Sequence, residues 1–384
     1  MRAMRRLLLL ACAIVFVDTT FYSAMTPLLP HFEDEFDLSK TGAGVLAAAY
    51  PAGTLVGSLP FGYLAAKWGV RATALFGLLL MSASSFAFAF ADTIVLLDVA
   101  RFVQGLAGAA SWAGALAWVA SAAPRERRGE MIGTALGAAI SGALAGPALG
   151  TLADAVGVVP VFCGVGVVGI ALAAVAATME PAAPEGTSPP RELLAALRDG
   201  RVAGGMWLIA VPGLVFGTIG VLAPLRLDDL GVGAALIGGT WLAAALLETA
   251  VSPIVGRVSD RRGRLFPCLI GLASGALMML LFPFPDRAWI LIVLVVLTAP
   301  LVGTLWAPSM ALLSDGAEAL GIAQGFAFAL SNLGWSIGQT TGSAASARLA
   351  DATSDAVPYL LLSGICLATF VVLARARRTS AILT

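Results

Sequence analysis

The sequence predicts an all-α integral membrane protein whose twelve transmembrane helices form two parallel six-helix halves. Three observations lead there. Of 384 residues, 59% are hydrophobic and 12% are charged, with a mean hydropathy of +0.92. A soluble domain carries about 25% charged residues, so a water-coated globule is excluded. Apolar runs long enough to cross a bilayer recur twelve times, and a set of spaced glycines repeats at half the chain length.

A bilayer core about 30 Å thick takes roughly 20 apolar residues per helix. Cut at charged and Pro/Gly punctuation, the spans fall near 7–29, 41–65, 71–91, 94–121, 130–153, 157–179, 202–225, 233–256, 264–284, 288–312, 319–347 and 357–375. The first follows Arg2, Arg5 and Arg6 and has the outline of a cleavable signal. Its hydrophobicity continues through Leu29 to spanning length, so it reads as an uncleaved helix. It carries Asp18, with Phe21 and Tyr22 one turn on and Pro27 and Pro30 at its end. The second leads into a short loop with Gly62, Gly69 and Arg71; the third holds no acid. The fourth contains Asp98, Arg101, Gln104 and Gly105, the fifth Gly142, Gly146, Pro147 and Gly150, and the sixth is acid-free.

The stretch from Glu180 to Arg201 mixes Pro, Gly and Ser with charges at the midpoint of the chain. It predicts a cytoplasmic linker, 181–201, between an N-terminal six-helix bundle, 1–180, and a C-terminal one, 202–384, with a short amphipathic stretch at Arg191–Arg198 on the membrane surface. Beyond it, the eighth span carries Glu248 on one face with Trp241 and Ser252. The eleventh presents Gln324, Phe328, Asn332, Trp335 and Gln339 as one helical stripe, and the ninth and twelfth hold no acid.

Charge distribution sets the orientation. With an amino terminus inside, 18 of the 23 Lys and Arg fall on the inner face, four (Lys40, Arg226, Arg287, Arg348) outside, and Arg101 within a span. That bias predicts a multi-pass protein of the plasma (inner) membrane with both termini cytoplasmic. Net charge is zero, without the basic excess of a nucleic-acid binder. The two lysines, Lys40 and Lys67, belong to no phosphate-cradling G-x-x-x-x-G-K loop, which argues against an ATP-driven pump. His31 is the single histidine, and Cys12, Cys163, Cys268 and Cys366 lie in four separate spans. No metal site, cofactor or enzymatic activity is therefore expected.

The repeat is specific. Gly133, Gly142, Gly146 and Gly150 recur as Gly325, Gly334, Gly338 and Gly342, each 192 residues later. Gly62 to Arg71 (GYLAAKWGVR) is echoed by Gly256 to Arg264 (GRVSDRRGR) at an offset of 194. Six spans is an even number, so the halves share orientation.

These motifs resemble the major facilitator superfamily, and within it the twelve-helix drug:proton antiporter group. The family's loop signature, G-x-L-a-D-r-x-G-r-r, stands as Gly62, Leu64, Gly69 and Arg71, and again as Gly256, Asp260, Arg261, Gly263 and Arg264. The aspartate of the first copy is replaced by Ala66. The resemblance gives that aspartate a part in latching the halves on the cytoplasmic side, so this chain is expected to latch through Asp260 or to populate inward-open states more readily. The fourth-helix motif R-x-x-q-G stands as Arg101, Gln104 and Gly105. A buried arginine costs roughly 2.5–3.5 kcal/mol on insertion scales, and Asp98 at i−3 is its nearest candidate partner. A structural ion pair and a part in proton coupling, which the resemblance implies, both remain open. The fifth-helix motif g-x-x-x-G-P-x-x-G is intact as Gly142, Gly146, Pro147 and Gly150, and in the family it accompanies exchange rather than uptake.

Asp18 and Glu248 lie deep in spans with no basic residue within a turn, which makes them candidate proton carriers: a carboxyl group is cheaper to bury with its proton than without it. Together with Asp98 and Arg101 they form the expected coupling set. The first helix is similar to that of multidrug and vesicular monoamine transporters. Phe21, Tyr22, Trp241, Phe328, Asn332 and Trp335 are the expected cavity residues, a mixture of rings and amides suited to an amphipathic organic molecule. The expected function is proton-coupled efflux of lipophilic, cationic small molecules by alternating access, in a monomer whose partners are substrate, protons and the bilayer. A proton-coupled sugar or metabolite exporter or symporter of the same superfamily is the alternative.

Overall fold

The computed structural model describes residues 2–123, 127–181, 197–320 and 324–382, and every element among them is helical. In order they are α1 (Arg2–Ser23), α2 (Met25–Phe36), α3 (Lys40–Trp68), α4 (Val70–Ala89), α5 (Ile94–Ala122), α6 (Arg128–Val156) and α7 (Val158–Ala177), followed by α8 (Gly200–Asp229), α9 (Ala234–Arg262), α10 (Leu265–Leu281), α11 (Ala288–Gly303), α12 (Trp306–Ala319), α13 (Gln324–Ala352) and α14 (Ala356–Ile382). Twelve spans result, because α1 with α2 and α11 with α12 are each one span broken in the middle. Ten spans are long and apolar enough to cross a membrane. Of the other two, α10 has 17 residues and α13 dilutes its apolar residues with Ser, Thr, Asn and Gln.

Helix starts follow local chemistry. Ser39, Thr93 and Asp199 accept hydrogen bonds from the first backbone N–H groups of α3, α5 and α8, satisfying donors that have no partner inside the helix. The loop-signature glycines Gly69 and Gly263 sit at φ +93° and +81°, between α3 and α4 and between α9 and α10. Side chains are disfavoured at such angles, which explains why this pair recurs in both halves. The two breaks, at Ala24 and at Thr304–Leu305, each precede a proline by three or four residues, Pro27 and Pro308. A proline has no N–H to return to the carbonyl four residues earlier.

The repeat in the sequence is a repeat in packing. In the first half α1 lies on α6, α3 on α5 and α4 on α7; in the second, α8 lies on α13, α9 on α11 and α10 on α14. The glycine strips make the first pairing possible. A Cβ at Gly142, Gly146 or Gly150 would strike the first span at Phe16 and Thr19, at Thr20 and Ser23, and at the break, at Ala24 and Pro27 of α2. Gly334, Gly338 and Gly342 meet the Met206, Ala210 and Leu214 backbone of α8 in the same way. Small residues let two helix backbones touch, which drives association where lipid offers no hydrophobic gain.

The halves meet chiefly through α3 against α13 and α6 against α9. At the end away from the termini these contacts are close. Gly44 faces Ala347 and Ser343, and Gly238 faces Thr151. Asp351, at the end of α13, accepts hydrogen bonds from the Thr41 N–H (2.6 Å) and hydroxyl (2.5 Å), and Lys40 pairs with Asp355 at 2.6 Å. At the other end Gly133 and Gly137 of α6 and Gly256 of α9 have open space before them. At that same end a Cβ at Gly62 of α3 would still meet Ala329 of α13, so α3 and α13 stay together along their length and the crevice, the open space between the halves, lies before α6 and α9. Among the spans α8 is the most buried, while α7 and α14 leave most of their surface outward.

Candidate functional site

Asp18 sits in the interior of the first half, 3% exposed. One of its oxygens, Oδ2, accepts two hydrogen bonds, from the Tyr50 hydroxyl on α3 (2.8 Å) and the Trp112 indole N–H on α5 (2.7 Å). The other oxygen, Oδ1, lies against Gly108, where a Cβ would collide with both the carboxyl group and the Tyr50 hydroxyl. Gly108 and Trp112 are one turn apart, so α5 supplies a recess and a donor to the same group. Sequence reasoning found Asp18 and missed all three neighbours. Tyr and Trp in apolar spans read as ordinary core, and Gly108 is one of 43 glycines.

Arg101 is 1% exposed and lies on the same helix. Its pairing with Asp98 is corrected. The guanidinium instead donates to the carbonyls of Phe21 and Tyr22 (3.4 Å each) and to the Gln104 side chain (3.1 Å). It also covers the Tyr50 ring at 5.2 Å and the Phe21 ring at 5.9 Å. The break at Ala24 favours the choice: Pro27 leaves the neighbouring Ser23 carbonyl without its helical donor, and a cation at a helix C-terminus is favoured by the aligned peptide dipoles. Asp98, half-buried, keeps one oxygen without a hydrogen-bond partner.

Phe21 is also corrected. It is 2% exposed, and its ring packs with Phe88 and Phe162 in the core of the first half, away from the crevice. Tyr22, one residue on, faces the crevice. Its ring lies 5.0 Å from Tyr50 and 5.3 Å from Trp335 of α13, and its hydroxyl lies near the Gln339 side chain. Tyr22 and Trp335 therefore touch across the two halves. Asn332 is half-buried one turn before Ser336. The side chains of Phe328, Gln324 and Asp260 lie outside the described residues, and with them the latch expected of Asp260.

Glu248, on α9, is half-buried and lies against the break in the tenth span. Its carboxyl group abuts Gly303, where a Cβ would strike it, and lies near the Trp306 side chain. Trp306 stacks on Phe216 at 6.0 Å and 12°. Trp241, two turns before Glu248 on α9, is half-buried and packs on the hydrophobic core. Trp306 and Trp335 both pack on the small cluster of Val202, Ile209, Leu313 and Leu330, together with Met206 and Met310.

The remaining motif residues lie at helix ends. Arg71 donates to the Ala177 carbonyl at the end of α7. Its counterpart Arg264 holds the Ala311 carbonyl (2.7 Å) and pairs with Asp315 on α12. Arg261 is exposed. Gly105 crosses α3 at the Tyr50 carbonyl, with no space for a side chain. Among the described residues no three His, Cys, Asp or Glu gather as metal ligands would.

Comparison with known proteins follows the same lines. The sequence model of a family described as Major Facilitator Superfamily matches residues 11–339. A chloramphenicol resistance protein of Streptomyces lividans is 28% identical over 97% of this chain and 96% of its own length. The MFS-type transporter ppzB of Metarhizium rileyi is 30% identical over 35% of this chain, which is 29% of that protein. Two solved structures share the fold. The partially occluded, inward-open xylose transporter XylE of E. coli aligns with a TM-score of 0.77 over 98% of both chains at 13% identity, and a D-xylose-proton symporter with 0.74 over 96% of both at 16%.

Proposed function

The chain belongs to the Major Facilitator Superfamily, and from that premise we propose that it is a proton-coupled exporter of lipophilic, cationic small molecules, working by antiport. It is a multi-pass membrane transporter of small molecules; the direction, the coupling ion and the substrate are the proposal, as are a monomeric state, residence in the plasma membrane with both termini cytoplasmic, and the division into bundles 1–180 and 202–384. The relative that matches nearly the whole chain is named for drug resistance, which supports efflux.

The carrying observation is Asp18: a buried carboxyl group with donors on one oxygen and no cation paired to it, beside an arginine whose donors go to carbonyls and an amide. Such a group is cheapest to bury in a neutral form, either protonated or next to a substrate cation. Proton and substrate then become alternatives at one site, and their coupling is reciprocal. Rocking of the two halves would give the site access from one end at a time, and because one charge leaves as one proton enters, the pH gradient rather than the membrane potential drives the exchange.

Purified protein in liposomes with an imposed pH gradient tests this. Cation movement opposite to the protons is the expected result; movement in the same direction removes the antiport reading. Asp18→Asn and Glu248→Gln are each expected to abolish gradient-driven exchange while membrane expression stays intact. Full exchange in either variant returns that acid to a structural part.

A further inference from the structure

Asp18 and Glu248 come from spans that do not correspond in the repeat, the first and the eighth. Their settings nevertheless correspond. Each carboxyl group lies against a glycine of the fourth span of its half, Gly108 or Gly303, with a tryptophan near it three or four residues farther along that span: Trp112, which donates to Asp18 at 2.7 Å, and Trp306. The offsets between the pairs, 195 and 194 residues, are within a few residues of the repeat itself.

Rings and one aliphatic cluster lie between the two. From Asp18 the rings run through Tyr50 to Tyr22 (5.0 Å) and to Trp335 (5.3 Å). Trp335 and Trp306 share one hydrophobic cluster, and Trp306 lies near Glu248. Tyr22, Trp335 and Trp306 each keep part of their surface uncovered. The charged side chain facing Asp18 is Arg101, whose donors go to Gln104 and the carbonyls of α1. Among the described residues no basic side chain is a partner of Glu248.

We infer that the two carboxyl groups are the ends of a single elongated site for a dication, an amphiphile with a basic or quaternary nitrogen at each end of an apolar body. The inference rests on the antiport reading above and specifies its substrate class. The charge balance leads to it. With the site empty, each carboxyl group holds a proton. A monocation displaces one proton and leaves the far carboxyl group protonated. A dication displaces two, neutralises both ends, and lays its apolar body along the rings, where cation–π and hydrophobic contact add affinity. Two positive charges leave as two protons enter, so the exchange is electroneutral.

The test uses α,ω-bis(trimethylammonium)alkanes of increasing length and matched alkyltrimethylammonium monocations. Binding to the purified protein is followed by intrinsic tryptophan fluorescence, and proton release by an indicator dye in weak buffer. The expected result is release of about two protons per dication and about one per monocation, with a chain length at which the dication binds at least about tenfold tighter. Asp18→Asn and Glu248→Gln are each expected to lower dication release to about one proton and to erase the length optimum. Trp306→Phe, which keeps a ring and removes the indole N–H, is expected to reduce the dication preference by about threefold or more. One proton per dication, or equal affinity for both series at every length, overturns the two-ended site while leaving antiport intact. Absence of proton release with either series overturns the antiport reading and the dication site together.

Discussion

At Gly108 the fit between sequence and site is tightest, because the residue is defined by what must not be there. A methyl group at that position would displace both the Asp18 carboxyl group and the Tyr50 hydroxyl. Gly108→Ala is therefore expected to lower thermal stability, with a cost of about 1–3 kcal/mol for overpacking, and to impair gradient-driven exchange; calorimetry and liposome transport measure the two separately. Arg101→Lys keeps the charge but replaces a planar fork with one ammonium. It cannot serve both α1 carbonyls and Gln104, and each donor lost leaves a buried acceptor at about 1–3 kcal/mol, so a clear drop in melting temperature is expected. Charged residues in apolar spans stood out in the sequence, which is why Asp18, Arg101 and Glu248 were legible. Their partners were not. Tyr50, Trp112 and Trp306 are residue types that any core accepts, and Arg101 found its acceptors at a helix break rather than three residues away.

The spans themselves could be read almost completely, because a bilayer allows few alternatives to a helix of about 20 apolar residues. What escaped was their continuity. Pro27 and Pro308 mark places where hydrogen bonds are missing, but prolines also occur inside unbroken helices here, as Pro51, Pro60 and Pro212 do. The breaks become intelligible only with Arg101 on one and Glu248 beside the other. The glycine repeat had a legible period, and the structure supplies its cause, the two close pairings of α1 with α6 and α8 with α13. Gly146→Val is expected to drive those helices apart and to abolish a monodisperse, folded protein in size-exclusion chromatography. Gly137→Ala, facing open space on the same helix, is expected to leave the melting temperature unchanged or to raise it slightly through helix propensity, worth about 1 kcal/mol.

For the whole molecule, the sequence predicted two halves and an orientation, whereas the state in which they meet depends on long-range contacts that no local pattern encodes. The closed end is held by Asp351 of α13, which accepts from Thr41 at the start of α3, and by Lys40 with Asp355. Burial pushes the Asp351 carboxyl group upward, but hydrogen bonds from Thr41, Ser39 and Lys40 outweigh it and hold the group below its usual range. A depressed value means that the ionised carboxylate favours closure at any pH above the ordinary carboxylate range, and that this contribution fades only as pH falls through the lowered value. The lock is therefore expected to be insensitive to pH near neutrality. Asp351→Ala combined with Lys40→Ala removes it. In a background free of native cysteine, labelling of Ser343→Cys from the closed side by an impermeant thiol reagent is expected to rise. Ala66→Asp, which restores the aspartate of the loop signature, is expected to shift the same labelling in the same direction by strengthening closure at the opposite end.

The same lock has a use beyond transport. Thr41 and Lys40 come from one half and Asp351 and Asp355 from the other, so the ridge they form exists only while that end is shut. It is a composite epitope assembled by the conformation itself. An antibody fragment raised against that ridge would clamp the carrier in the state described here, and its apparent affinity would report how much of the population occupies that state before it binds.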